Sequence, residues 1–190
     1  PADNPLTPEK AALGRQLYYD QRLSGDGKHS CYGCHVCEHG LTDGLALGKG
    51  AFDKPLTRSA PTMWNVGYLW AIYWDGRAPT LEKQAMGAWK GANMGATDPG
   101  TIVTQLNAVP GYRAQFQAVF GGPVTSDNVT KALASYMRTI VGGHTPFDAW
   151  VGSNATAINE AAVRGWNVFQ RAGCEQCHTG VLITDMQFHN

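Results

Sequence analysis

Two five-residue strings constrain this chain more than anything else in it: Cys31-Tyr32-Gly33-Cys34-His35 and Cys174-Glu175-Gln176-Cys177-His178. The pattern C-x-x-C-H is the attachment signature of c-type haem. Two thiols three positions apart add to the two vinyl groups of one porphyrin. The next residue then places an imidazole beneath the iron as fifth ligand. A single copy is compatible with a redox pair or a zinc site. Two copies point to two haem c groups, with Cys31, Cys34, Cys174 and Cys177 as thioether carriers and His35 and His178 as iron ligands. Zinc is the strongest competitor, because Cys31, Cys34, Cys37 and His39 offer four tetrahedral ligands. That reading leaves His35, and its repeat as His178, without a purpose. Cys37, the odd fifth cysteine, reads as a packed or exposed thiol near the haem edge.

A covalently held haem needs little core around it, and the rest of the chain is a globular sequence that could supply one. It is 43% hydrophobic and 16% charged, with 15 basic and 15 acidic residues. There is no basic run to suggest nucleic acid, and no apolar stretch of about 18 residues to span a membrane. The opening Pro-Ala-Asp-Asn-Pro reads as a processed end with its leader removed, as in an exported protein.

The periodic signal is helical. Thr7-Pro8 opens a helix with Leu13, Leu17 and Tyr18 on one face, and Asp20 to Gly27 reads as a loop. Residues 40–62 are Gly-rich and irregular. Thr80 caps a helix through about Ala88, Asp98-Pro99 opens another, and Tyr112, Phe116 and Val119 suggest one more. The clearest pattern, Val129, Ala132, Leu133, Tyr136, Met137, Ile140 and Val141, predicts a helix over 126–141 ended by Gly142-Gly143. Residues 143–156 read as a linker, and a last helix covers about Ala157 to Arg171. Gly14-x-x-x-Tyr18 before the first haem motif repeats as Gly165-x-x-x-Phe169 before the second. A small residue one turn before an aromatic lets a second helix cross closely while the ring packs beside a haem. The expected fold is all-α, with two cytochrome c-like domains over 1–143 and 144–190. Only 12 residues follow His178, so the second reads as truncated.

Further segments carry a family resemblance. They are Leu13-Gly14 through Asp20, Arg22-Leu23-Ser24, Thr42-Asp43-Gly44, and Arg58-Ser59-Ala60-Pro61-Thr62 with Asn65. Next comes Trp74-Asp75-Gly76-Arg77-Ala78 with Leu81-Glu82-x-Gln84-Ala85, then Phe147-Asp148, and finally Leu182-x-Thr184-Asp185-x-Gln187-Phe188-His189-Asn190. With the two haem motifs, these make the chain resemble the bacterial di-haem cytochrome c peroxidases and the related methylamine-utilisation enzymes. The resemblance implies that the haem on His35 binds hydrogen peroxide. The haem on His178 would receive electrons from a small donor protein, a cytochrome c or a cupredoxin, in the periplasm. Trp74 matches the family tryptophan between the haems, and Gln84 a glutamine on the distal side of the first. Without the resemblance, Trp74 reads as a core tryptophan and Gln84 as a solvated one.

The chain also departs from the family pattern. Where the family carries Glu-Met after that glutamine, one assumed deletion aligns Asn93-Met94. Asn can hydrogen-bond peroxide but cannot shuttle a proton, and losing a general acid–base group typically costs about 10²–10⁴-fold in rate. No His lies between His39 and His144, so the usual distal His of the first haem is missing, as in the methylamine-utilisation branch. The family's calcium ligand Asn is Ser59 here, which weakens the case for calcium. Two readings follow: a peroxide-reducing enzyme relaying electrons through Trp74 (or its variant that oxidises another protein), and an electron carrier with both irons six-coordinate. Candidate sixth ligands for a carrier are Met63, Met86, Met94, Met137, Met186, His144 and His189. The sequence leaves the oligomeric state open.

Overall fold

The computed structural model describes residues 1–189. Among these the chain is helical, with isolated bridges but no strands, in keeping with the all-α expectation. It divides into two compact units, Pro1–Ile140 and the residues from Val141 onward.

The first unit holds six α-helices: α1 (Pro8–Tyr19), α2 (Cys31–Cys34), α3 (Leu81–Lys90), α4 (Pro99–Ala108), α5 (Pro110–Phe120) and α6 (Ser126–Met137). Side-chain oxygens cap the starts the sequence marked. Thr7 accepts from the Lys10 amide, Thr80 from Lys83, Asp98 from Gly100 and Thr125 from Asn128. The pairing of α1 with α6 is the most extensive helix contact, followed by α3 with α6. A Cβ on Gly14 would run into the carbonyl oxygen of Ala132, so the two backbones touch there. Leu13, Leu17, Val129, Ala132 and Leu133 close the core around that crossing.

A polar network ties three helices together. Arg138 pairs bidentately with Glu82 at 2.7 and 3.0 Å. Asn4 donates to Glu82 at 2.7 Å and to the Lys131 carbonyl at 3.0 Å. The buried Lys10 ammonium is satisfied by Asn4 Oδ1 and the Pro5 carbonyl.

Two boundaries differ from expectation. α6 stops at Met137, four residues before Val141. The Thr139 amide and hydroxyl both turn back to the Tyr136 carbonyl, and the Ile140 carbonyl accepts from Asn65, so neither continues the helix. The expected linker 143–156 contains a further helix, α7 (Pro146–Val151), started by a reciprocal capping box between Thr145 and Asp148.

The α-helices of the second unit are α7 and α8 (Glu160–Arg171), the latter capped by Asn159 and starting three residues later than expected. Its apolar contacts are aromatic: Phe147 lies 5.9 Å from Trp150 and 5.0 Å from Trp166, which stacks on Phe169. None of its described residues is buried. Gly165 has nothing within 4 Å of its Cβ position, so the second Gly-x-x-x-aromatic copy makes no helix crossing among the described residues.

Gly14→Ala should therefore destabilise the first unit by about 1–3 kcal/mol in a denaturant titration, the usual cost of overpacking. Acid should do so as well. Burial alone would raise the Glu82 pKa, but hydrogen bonds from Arg138 and Asn4 outweigh it and bring it down to about 2. A carboxylate depressed in the folded state contributes stability above its unfolded pKa and loses it as pH falls through the folded one. Stability should decline between about pH 4.5 and pH 2, with Glu82→Gln showing a shallower decline in acid melts.

Candidate haem sites

In the first unit the attachment motif forms the short helix α2, whose Ser30–Cys34 segment opens directly into a cavity of about 530 Å³. That volume lies within the range of cofactor pockets. Its walls are largely apolar: Leu23, Met63, Val66 and Ile72 from loops, Ala85, Ala88 and Trp89 from α3, and Leu133 and Met137 from α6. Cys31, Cys34 and His35 line it, and so do Trp74, Gln84 and Asn93.

The His35 ring is held by its own loop. Nδ1 lies 3.0 Å from the Leu41 carbonyl, which can only accept, so Nδ1 carries the hydrogen and the Nε2 lone pair is left for a metal. Leu41 reaches this position by adopting a left-handed backbone, φ 62°, a conformation that a buried leucine rarely takes. Burial pushes the His35 pKa below its ordinary value, although the carbonyls of Leu41 and Pro61 and the Asp43 carboxylate favour the charged ring. A neutral imidazole is what iron ligation requires. From α1, Tyr18 donates its hydroxyl to the His35 carbonyl at 2.9 Å.

The thiols are neutral as well. Burial pushes Cys31 up to about 12 and raises Cys34. Zinc needs four ligands brought together. Among the described residues, the set of three cysteine, histidine or carboxylate ligand atoms within 4.8 Å of one another is Cys177, Asp185 and His189. Cys31, Cys34, Cys37 and His39 do not converge, and Cys37 is exposed. Two adjacent thiols, a braced imidazole and an apolar cavity fit a covalent haem.

Gln84 lies on the face of α3 that also presents Ala85, Ala88 and Trp89, and Tyr73 donates to its backbone carbonyl at 3.0 Å. Trp89 anchors that helix by donating to the Leu23 carbonyl at 2.7 Å. Asn93 sits in the turn that follows. There, Gly25 donates to the Met94 carbonyl at 2.7 Å, and Ala51 to the Ala92 and Asn93 carbonyls at 3.1 Å. Gly25 and Gly50 come so close to this turn that neither has room for a Cβ. Trp74 is no core tryptophan: it is 58% exposed, and its indole N–H donates to the Ser59 carbonyl at 3.0 Å.

The second motif sits on a 3-10 turn, Cys174–Gln176, with Cys174, Cys177 and His178 exposed. Its histidine is braced like the first. Nδ1 lies 3.3 Å from the Ile183 carbonyl, and Ile183 is also left-handed, φ 52°. The next two residues repeat their hydrogen bonds too. Thr42 Oγ1 accepts from Gly44 N and Asp43 Oδ1 from Leu45 N, just as Thr184 Oγ1 accepts from Met186 N and Asp185 Oδ1 from Gln187 N. The donor set fits a haem here, while the described residues of this unit supply no buried wall for it. Leu41 and Ile183 were not singled out from the sequence, yet Leu41-Thr42-Asp43 and Ile183-Thr184-Asp185 are a visible repeat, six and five residues after the histidines. Asn190 lies outside the described residues.

A family model described as di-haem cytochrome c peroxidase matches residues 8–156. The chain belongs to that family. The methylamine utilization protein MauG of Methylophilus methylotrophus is 41% identical over 194 residues, covering 100% of this chain and 58% of the relative. Cytochrome c551 peroxidase of Nitrosomonas europaea is 35% identical, covering 94% of this chain and 54% of the relative. The crystal structure of a MauG-like protein associated with microbial copper homeostasis matches with a TM-score of 0.91 at 32% identity, over 100% of this chain and 57% of that one. The chain thus spans about half the length of the curated family members it matches.

Replacing Cys31 and Cys34 together by Ala should remove one covalent haem of two, read by haemochrome absorbance per protein and by mass spectrometry of the Cys174 peptide.

Proposed function

We propose that this chain carries the peroxide-reducing haem domain of a di-haem peroxidase, together with the attachment residues of the haem that feeds it electrons. One observation carries the reading: a single cavity is lined by Cys31, Cys34 and His35 and also by Gln84, Asn93 and Trp74. When bound there, the haem supplies the iron at which hydrogen peroxide takes up two electrons and two protons to become two waters. The protein's part is to orient and to exclude. The Gln84 and Asn93 amides are hydrogen-bond donors for a bound peroxide, and the clamped turn fixes where Asn93 stands. The cavity's carboxylates are Asp43 and Asp75. Asp75 is a poor proton donor: burial would raise its pKa, but bonds from Arg77 and Arg58 hold it low. With Asn93 unable to move a proton, that role falls to water or to Asp43, the cavity's other carboxylate. Trp74, lining the cavity yet largely exposed, is the residue to which we assign the passage of electrons inward.

We assign the electrons to a small cytochrome c or cupredoxin donor, and the two haem-attachment motifs support a periplasmic location. Among the described residues, no helix is long and apolar enough to cross a membrane. The lack of a carboxylate at Asn93 favours a second reading, an electron carrier that does no peroxide chemistry. A carrier would need a sixth ligand at the first iron. Met63, Met94 and Met137 line the cavity, and Met86 does not.

The test is stopped-flow mixing of the fully reduced, full-length protein with one equivalent of hydrogen peroxide. Oxidation of both haems at a rate proportional to peroxide is expected, and Asn93→Glu should raise that rate about tenfold or more by restoring an acid–base group. Two low-spin haems that stay reduced for seconds would leave an electron carrier.

A further inference from the structure

Four carboxylate or guanidinium side chains line the first cavity: Asp43, Arg58, Asp75 and Arg77. Two of them are the cavity's cations, and they are held together. Arg58 Nη1 lies 2.9 Å from Asp75 Oδ2, and Arg77 Nη1 lies 2.8 and 2.9 Å from the two Asp75 oxygens. The Arg77 guanidinium also stacks 3.7 Å over the Tyr73 ring. The indole of Trp74 bonds the Ser59 carbonyl, tying the segment that carries Arg58 to the turn that carries Arg77. Exposed ion pairs of this kind contribute little stability. Their arrangement therefore calls for another role. A guanidinium has five donors in a fixed fork, and Asp75 engages one nitrogen of each. Those donors are more than one shared carboxylate and the Tyr73 hydroxyl can engage, and the cluster keeps one net positive charge.

A c-type haem brings two carboxylates of its own, the propionates, and its other edges are apolar. The remaining walls of this cavity are mostly apolar, and its cations are gathered at one place. We propose that Arg58 and Arg77, pre-oriented by Asp75, form the clamp for the two propionates of the haem on His35. This rests on the reading that the cavity holds that haem. Asp75 is a positioning residue, acting through the two arginines.

The clamp has an electrostatic signature. Positive charge beside a haem disfavours the ferric state, so each arginine raises the midpoint potential and Asp75 lowers it. The experiment is spectroelectrochemical titration of the full-length protein with Arg58→Ala, Arg77→Ala and Asp75→Asn, along with Arg58→Lys and Arg77→Lys. Each Ala variant should lower the ferrous-to-ferric ratio of one haem at fixed potential by several-fold to about tenfold, tenfold being 59 mV for one electron. Asp75→Asn should shift the same haem the opposite way, and the Lys variants should stay near wild type. Potentials that do not move, or that move the same way in all three charge-removing variants, as a loosened cavity would give, overturn the clamp. If one Ala variant fails to accumulate, the other and Asp75→Asn still decide. Haem missing from the Cys31–Cys34 peptide of the wild-type protein would instead defeat the underlying site reading, separately from any potential.

Discussion

At residue 14 two helices meet backbone to backbone, and most of the first site is surveyed from that point. One turn further along α1, Tyr18 delivers its hydroxyl to the carbonyl of His35. On the other side of the contact, α6 supplies Leu133 and Met137 to the cavity wall. Just past the end of α6, Arg138 grips Glu82 on α3. The helix bearing Gln84 is therefore registered against the same partner that registers the attachment motif. A side chain at position 14 would separate all three, because a closely packed interior passes a displacement on rather than absorbing it.

The sequence announced what is local. Helix starts were legible because a capping oxygen and a proline act within one turn, as at Thr7-Pro8 and Asp98-Pro99. The attachment residues were legible because thioether chemistry dictates their spacing. What depended on distant partners was not. α6 ends early because Asn65, far away in the chain, takes the Ile140 carbonyl. By residue type alone Trp74 would be core, and only its hydrogen bond to Ser59 and its exposure set it at a cavity wall. α7 is a different case, since Thr145-Pro146-Phe147-Asp148 is a local start signal set inside a stretch read as linker. The carbonyl braces are different again: Leu-Thr-Asp and Ile-Thr-Asp stand in plain view, but their meaning lies in a backbone conformation that neither leucine nor isoleucine favours.

The two units also show how unevenly one motif can be housed. Around His35 the imidazole and both thiols are held neutral by burial, and the segment carrying Asn93 is pinned by two glycines that admit no side chain. Around His178 the second copy of the motif stands in the open, with Phe169 5.9 Å from the imidazole. The attachment chemistry is shared by the two motifs. The environment that turns attachment into reactivity is described for the first alone.

The twin carbonyl braces bear on how such a pair of irons can differ. A hydrogen bond from Nδ1 to a backbone carbonyl makes an imidazole a stronger electron donor, and both histidines have one, at 3.0 and 3.3 Å. Irons bound by these two histidines would therefore receive nearly the same push from their protein ligand. If one haem is to hold electrons and the other to spend them, the asymmetry has to come from above the ring and around its rim, through what occupies the sixth position, how dry the pocket is and which charges stand at its edge. Duplicating a motif copied the part that fixes a haem and left free the parts that tune it.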